Sequence, residues 1–226
     1  MKINKLIKGR EIILLLAIML LACFMAAGQQ APRFSQLQYE NAKELRQYSW
    51  RSRTEIRKGG ETRSVQLYVL RYDAGGVLQK TNIGGTQPDI PTRGLRGLIA
   101  KKKRDEFLEL IDGLGALAKS YGEIPPEKMQ QFMRRATVTL DTNNGLLRLQ
   151  ASDVMQPGDT MSLWVDAVTR RQRRVEVQTA FEQSPLRLVS EFRDLPLGPT
   201  YLSRSVVDYP SRELTITTEN YDYAHN

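Results

Sequence analysis

Cysteine and histidine are nearly missing from this chain of 226 residues, which holds one of each, Cys23 near its beginning and His225 beside its end. Once an N-terminal leader is removed, no thiol remains and the one imidazole sits in the tail. That excludes disulfides, a Cys/His zinc cluster, a haem histidine, a Ser-His-Asp triad and a Cys-His dyad, all of which need groups the chain does not offer. Acid–base chemistry would have to use carboxylates, such as Asp153 with Asp159 or Asp166 with Glu176. Nothing in the spacing singles out either pair, so the chain reads as non-enzymatic, with no catalytic residue, no metal and no cofactor. Long apolar runs are scarce as well. Only Ile12 to Met25 qualifies, and it is shorter than the ~20 residues that a spanning helix needs.

Acidic residues are also in deficit: 33 Lys and Arg stand against 25 Asp and Glu, for a formal charge of +8. Lys2, Lys5, Lys8 and Arg10 supply part of that excess from within the leader, so the remaining domain is only moderately basic. Such a charge suits anionic head groups or simply keeps the domain soluble, and it makes no case for nucleic acid. Trp50, Trp164 and the tyrosines are able to stack on bases, but alternating strands already account for their positions.

What is present begins with the leader. Met1 to Arg10 is basic, Ile12 to Met25 apolar, and Ala26-Ala27-Gly28 supplies small residues, the pattern of a secretory signal peptide over residues 1–28. Leu20-Leu21-Ala22-Cys23 is also similar to the lipobox of bacterial lipoproteins. Cys23 is therefore a lipidation candidate, and the protein is membrane-associated if that route is used; the other reading makes it a small residue of the signal core. Either route exports the domain to the periplasm or the outer-membrane periphery of a bacterium, away from a steady supply of ATP or NAD.

Residues 29–34 read as a linker, and 35–226 as a single domain with a helical insert over 100–135. A first helix spans Ser35 to Gln47, with Ser35 as N-cap. Strands follow at Tyr48 to Arg57, Thr62 to Asp73 and Val77 to Asn82, and Gly84 to Gly97 reads as a long loop. Ala100 to Tyr121 and Glu127 to Arg135 carry helical spacing; Lys101, Lys102, Lys103 and Arg104 stand where the helix dipole disfavours cations. Thr137 to Leu140 and Leu146 to Ala151 flank an Asn-Gly turn. From Thr160 to Tyr223 the period is two throughout with short connections, the signature of antiparallel strands. The expected fold class is α+β: a strongly curved antiparallel sheet, an incomplete β-barrel, with helices packed on its concave side.

The run Met161-Ser162-Leu163-Trp164-Val165-Asp166 with Thr169, the return Arg174-Val175-Glu176-Val177, and Glu191-Phe192-Arg193-Asp194 resemble the strand-turn-strand pattern of the LolA/LolB-like periplasmic lipoprotein-carrier superfamily. That resemblance implies a half-barrel lidded by helices around an apolar cavity, and it transfers no binding residue. From the residues themselves, Leu67, Val69, Leu163, Val165, Val177, Phe181, Leu188 and Phe192 are the candidates to line a cavity. Phe107, Ile111, Leu114, Phe132 and Met133 are lid candidates, with Met129 and Met133 suited to an adaptable surface. Arg170, Arg171, Arg173 and Arg174 are candidates to meet an anion. Two partners follow: a lipid or the acyl chains of a lipoprotein in the cavity, or a protein of the envelope recognised by a sheet edge or the basic tip, as a structural or sensory module.

Overall fold

The computed structural model describes residues 34, 36–86 and 94–226, with only the backbone of residues 94–100. The leader, Cys23, the linker residues 29–33 and Ser35 lie outside the described residues.

Helix α1 covers residues 36–45. It leads into a hairpin, β1 (Tyr48–Lys58) and β2 (Glu61–Tyr72), followed by β3 (Leu78–Thr86), helix α2 (Gly94–Gly122) and helix α3 (Pro126–Arg135). Then come β4 (Thr137–Asp141), β5 (Leu146–Ser152), β6 (Thr160–Asp166), β7 (Gln172–Phe181), β8 (Ser184–Asp194), β9 (Thr200–Tyr209) and β10 (Leu214–His225). All ten strands form one open antiparallel sheet in the order β3-β2-β1-β10-β9-β8-β7-β6-β5-β4. It consists of two meanders, joined where the first strand pairs with the last from Tyr48↔His225 to Lys58↔Leu214. The two edge strands, β3 and β4, flank the helical segment in sequence, so α2 and α3 carry the chain from one edge to the other.

Two differences from the sequence reading occur around that segment. Strand β3 runs on to Thr86 and α2 begins at Gly94, both inside the stretch expected to be loop. Gly85, at φ 141°, explains the longer strand: a Cβ there would overlap the carbonyl oxygen of Val65, so only glycine lets the two backbones pair this closely.

Period-two alternation sorts side chains onto two faces. One face carries an unbroken cross-strand row, Ala151, Met161, Val177, Leu188, Val207, Ile216 and Ile56, every member buried. Leu114 and Tyr121 of α2 and Phe132 of α3 close over this row and complete the core. Gly113 lets α2 come close: a Cβ at that position would lie 2.7 Å from Cζ of Phe181.

The other face carries a row of alternating charge, Arg174, Glu191, Arg204, Glu219 and Arg53, with pairs at 3.5, 4.0 and 3.8 Å. Arg148 and Arg174 sit over the ring of Trp164 at 5.2 and 5.6 Å. Exposed pairs of this kind add little each; their consequence is a face that needs no cover. No helix among the described residues is long and apolar enough to cross a membrane.

Candidate functional site

The β4 edge is where the apolar face is not fully covered. Val138 pairs with Leu149 and Leu140 with Leu147, and these continue to Leu163 and Val165 of β6, giving two apolar rows three strands wide. At the outer strand Val138 is 58% and Leu140 53% exposed. Phe34, Leu37 and Met133 overhang the rows without filling the space beneath them. A cavity of about 110 Å³ remains, lined by those three residues, Val138, Leu147, Leu149, Leu163, Val165 and Arg170. It is the expected chemistry of an apolar ligand site: hydrocarbon walls and one charged group.

Arg170 reaches this position through its turn. Asp166 accepts backbone N–H bonds from Val168 and Thr169 at 3.0 and 2.7 Å, and the Arg170 N–H donates to the Asp166 carbonyl at 3.0 Å. The Thr169 N–H is the chief reason the Asp166 carboxyl titrates below its usual range. The turn closes with Arg170 in the left-handed region at φ 61°, unusual for a residue with a long side chain.

The four arginines of this turn and strand divide sharply. Arg171 and Arg173 reach Asp194 at 3.2 and 2.8 Å, and Arg171 also donates to the Gly198 carbonyl at 3.2 Å, stapling this turn to the β8–β9 turn. Burial raises the Asp194 pKa, but hydrogen bonds from Arg173 and Thr200 outweigh it and leave the carboxyl below its normal range. Arg174 pairs with Glu176 at 3.1 Å on the charged face. Only Arg170 lines the cavity, and among the described residues no carboxylate lies within ion-pair distance of it.

Three of the sequence-derived candidates, Leu163, Val165 and Met133, meet Arg170 at the cavity. Val177 and Leu188 are instead packed beneath Leu114 and Phe132 in the filled core. Phe181 stands edge-on to Tyr209 at 5.9 Å, and Phe107 lies under the ammonium of Lys58 at 5.6 Å. Ile111 and Met129 pack at the margin of the same core, and Phe192 is half-buried opposite Leu202, outside it. Leu67 pairs with Arg53 on the charged face, and Val69 shares its side of β2; both point away from the helices. A two-residue period in β2 offers apolar side chains on both faces, so sequence alone did not choose between them.

Phe34, Leu37, Val138, Leu147 and Leu149 line the cavity and were not among the candidates. Val138 and Leu147 were legible as strand residues, but their edge position depends on the β1–β10 closure, which no local signal encodes. Phe34 falls in the stretch whose composition reads as a linker.

The carboxylates considered for catalysis are engaged. Asp159 accepts from the N–H groups of Val154, Met155 and Gln156 at 2.6, 2.8 and 3.0 Å and from the Tyr121 hydroxyl at 2.6 Å. Burial raises its pKa, yet these four donors more than compensate and hold it below normal. Burial and the adjacent carboxylate push the Tyr121 hydroxyl the other way, upward. Glu176 is held by Arg187 at 3.0 Å and by Arg174. Among the described residues no group of three His, Cys, Asp or Glu side chains is arranged to hold a metal ion.

No family model and no curated protein matches this chain. Among solved structures it is similar to a DUF1329 family protein from Desulfovibrio piger, with TM-score 0.37 and 10% identity over 89% of this chain and 92% of that one. It is also similar to a LolA superfamily protein from Nitrosomonas europaea, with TM-score 0.35 and 13% identity over 83% of this chain and 91% of that one.

Proposed function

We propose that this is an exported, non-enzymatic protein of the bacterial envelope that binds a hydrophobic ligand, a lipid or the acyl chain of a lipoprotein, inside a half-barrel. The observation that carries the reading is the apolar cavity of about 110 Å³ beside the β4 edge, with Arg170 in its wall. Removal of apolar surface from water, about 25 cal/mol per Å², drives the binding. The volume is well under the ~300–1,000 Å³ of sites that enclose a whole small molecule, so a longer chain enters as α1 lifts. On this reading α1 is the lid, while α2 and α3, whose Leu114 and Phe132 are fully buried, stay seated.

The test is native mass spectrometry on protein purified gently from its own envelope with the leader processed naturally. A removable mass matching a lipid supports the proposal, and a covalent diacyl or triacyl addition at Cys23 would make the protein itself a lipoprotein. A bare polypeptide that also takes up no lipid from vesicles contradicts it.

A second reading, a module that captures an envelope protein, draws on strand β3. All nine of its residues are exposed, and an open strand edge accepts a partner's strand. The basic tip lends this reading less, because Arg171 and Arg173 are already paired with Asp194.

A further inference from the structure

The ligand's head group is the remaining question, and this inference rests on the apolar groove being a ligand site. From the position of Arg170 we infer that the groove is selective for a single-chain amphiphile ending in a monoanion, such as the carboxylate of a fatty acid. Three observations bear on it. The first is an unbalanced cation. Arg171, Arg173 and Arg174 each have a carboxylate partner at 2.8–3.2 Å, whereas Arg170 has none among the described residues and faces the cavity. A lining arginine whose guanidinium has no counter-ion is free to complete a bidentate pair with a carboxylate.

The second is the arrangement of the walls. Arg170 belongs to the β6–β7 turn; the row Leu140, Leu147 and Val165 lies beside that end of the strands, and the row Val138, Leu149 and Leu163 lies one step farther away. A head group at Arg170 therefore sends its chain across the two apolar rows toward Met133. A space of about 110 Å³ suits the end of one chain and not a pair. With one cation in the wall, one negative charge is matched, and a phosphate dianion would be left half paired.

The third is the backbone. An arginine at φ 61° occupies a turn position that glycine or asparagine fills at less cost. Six other non-glycine residues among the described ones share that region, so the conformation supports the site only alongside the cavity and the missing counter-ion.

The test is calorimetric titration of the intact domain with three probes of equal chain length, namely decanoate, decyl phosphate and decanol, on the wild type, Arg170→Gln and Arg170→Gly. Decanoate is expected to bind the wild type more tightly than either other probe. Arg170→Gln should weaken decanoate about 10- to 100-fold, the loss of one charge-assisted pair, and leave decanol unchanged. Arg170→Gly should weaken decanoate equally while raising the urea midpoint, because it relieves the left-handed backbone; a purely structural arginine would not split the two readouts in this way. Equal binding of decanoate and decanol, unaffected by either variant, overturns the head-group inference and leaves the groove standing. Tighter binding of decyl phosphate overturns the monoanion preference. Failure of all three probes to bind overturns the groove itself.

Discussion

The Tyr121 hydroxyl stands 2.6 Å from Oδ2 of Asp159 and ties the last turn of α2 to the β5–β6 loop. Asp159 in turn fixes that loop through three backbone N–H groups. Its side chain is fully buried. Tyr121→Phe should cost about 1 kcal/mol and Asp159→Asn about 3 kcal/mol, since the amide leaves a donor facing donors. Urea denaturation at neutral pH measures both.

The same carboxylate gives the fold an acid-sensitive contribution. The folded-state pKa of Asp159 is depressed, so the stabilisation is complete above the unfolded value of about 3.9 and is lost as pH falls through the folded value. The stability gap between wild type and Asp159→Asn should therefore be constant from pH 7 to about pH 5 and shrink below about pH 4. A gap that holds at pH 2 would show that the charge is not what the loop uses.

Gly113 sets two rules against each other. Glycine to alanine inside a helix ordinarily stabilises by about 1 kcal/mol. Here the new Cβ would lie 2.7 Å from Cζ of Phe181, and overpacking costs about 1–3 kcal/mol. Gly113→Ala is expected to be destabilising overall. Combining it with Phe181→Leu should return part of the loss, whereas simple additivity of the two variants in thermal unfolding would contradict the close approach.

The half-exposed groove and the filled core predict different failures for the same chemical change. Val177 is 1% exposed, so Val177→Asp should prevent folding, because it buries an unpaired charge. Val138 is 58% exposed at the groove mouth, so Val138→Asp should retain the far-ultraviolet circular dichroism of the wild type and lose decanoate affinity. Val138→Asp protein that binds normally would remove β4 from the site.

Helix α1 is pinned to β9 by Asn41, whose side chain donates to the Thr200 carbonyl at 2.8 Å and accepts the Thr200 N–H at 2.6 Å. If α1 is the lid, Asn41→Ala should speed both ligand entry and ligand release several-fold with a smaller change in affinity. Stopped-flow mixing with a fluorescent fatty acid reads both rates.

Local sequence pattern carried much of this architecture, and its limits have physical causes. The alternation of Met161, Leu163 and Val165 and the Asn-Gly turn at Asn144-Gly145 foretold strands that the structure contains. The helical spacing of Phe107, Ile111, Leu114 and Tyr121 likewise marked the packed face of α2. Long-range pairing was not legible: that β1 pairs with β10, leaving β3 and β4 as edges, follows from contacts distant in sequence. Facing was lost wherever a strand is apolar on both sides, as with Leu67 and Val69. The four clustered arginines were legible as a group, but which one remains unpaired depends on Asp194, about twenty residues farther along the chain.

The most direct test of the groove is photolabelling of the wild-type domain with a decanoate whose chain end carries a diazirine, followed by peptide mapping. The label, displaced by excess decanoate, is expected on the segments bearing Phe34 and Leu37, Met133 and Val138, and Leu147 and Leu149. Displaceable label confined to the aromatic group where Trp50 stacks on Tyr223 at 5.4 Å, or no displaceable label at all, would contradict it.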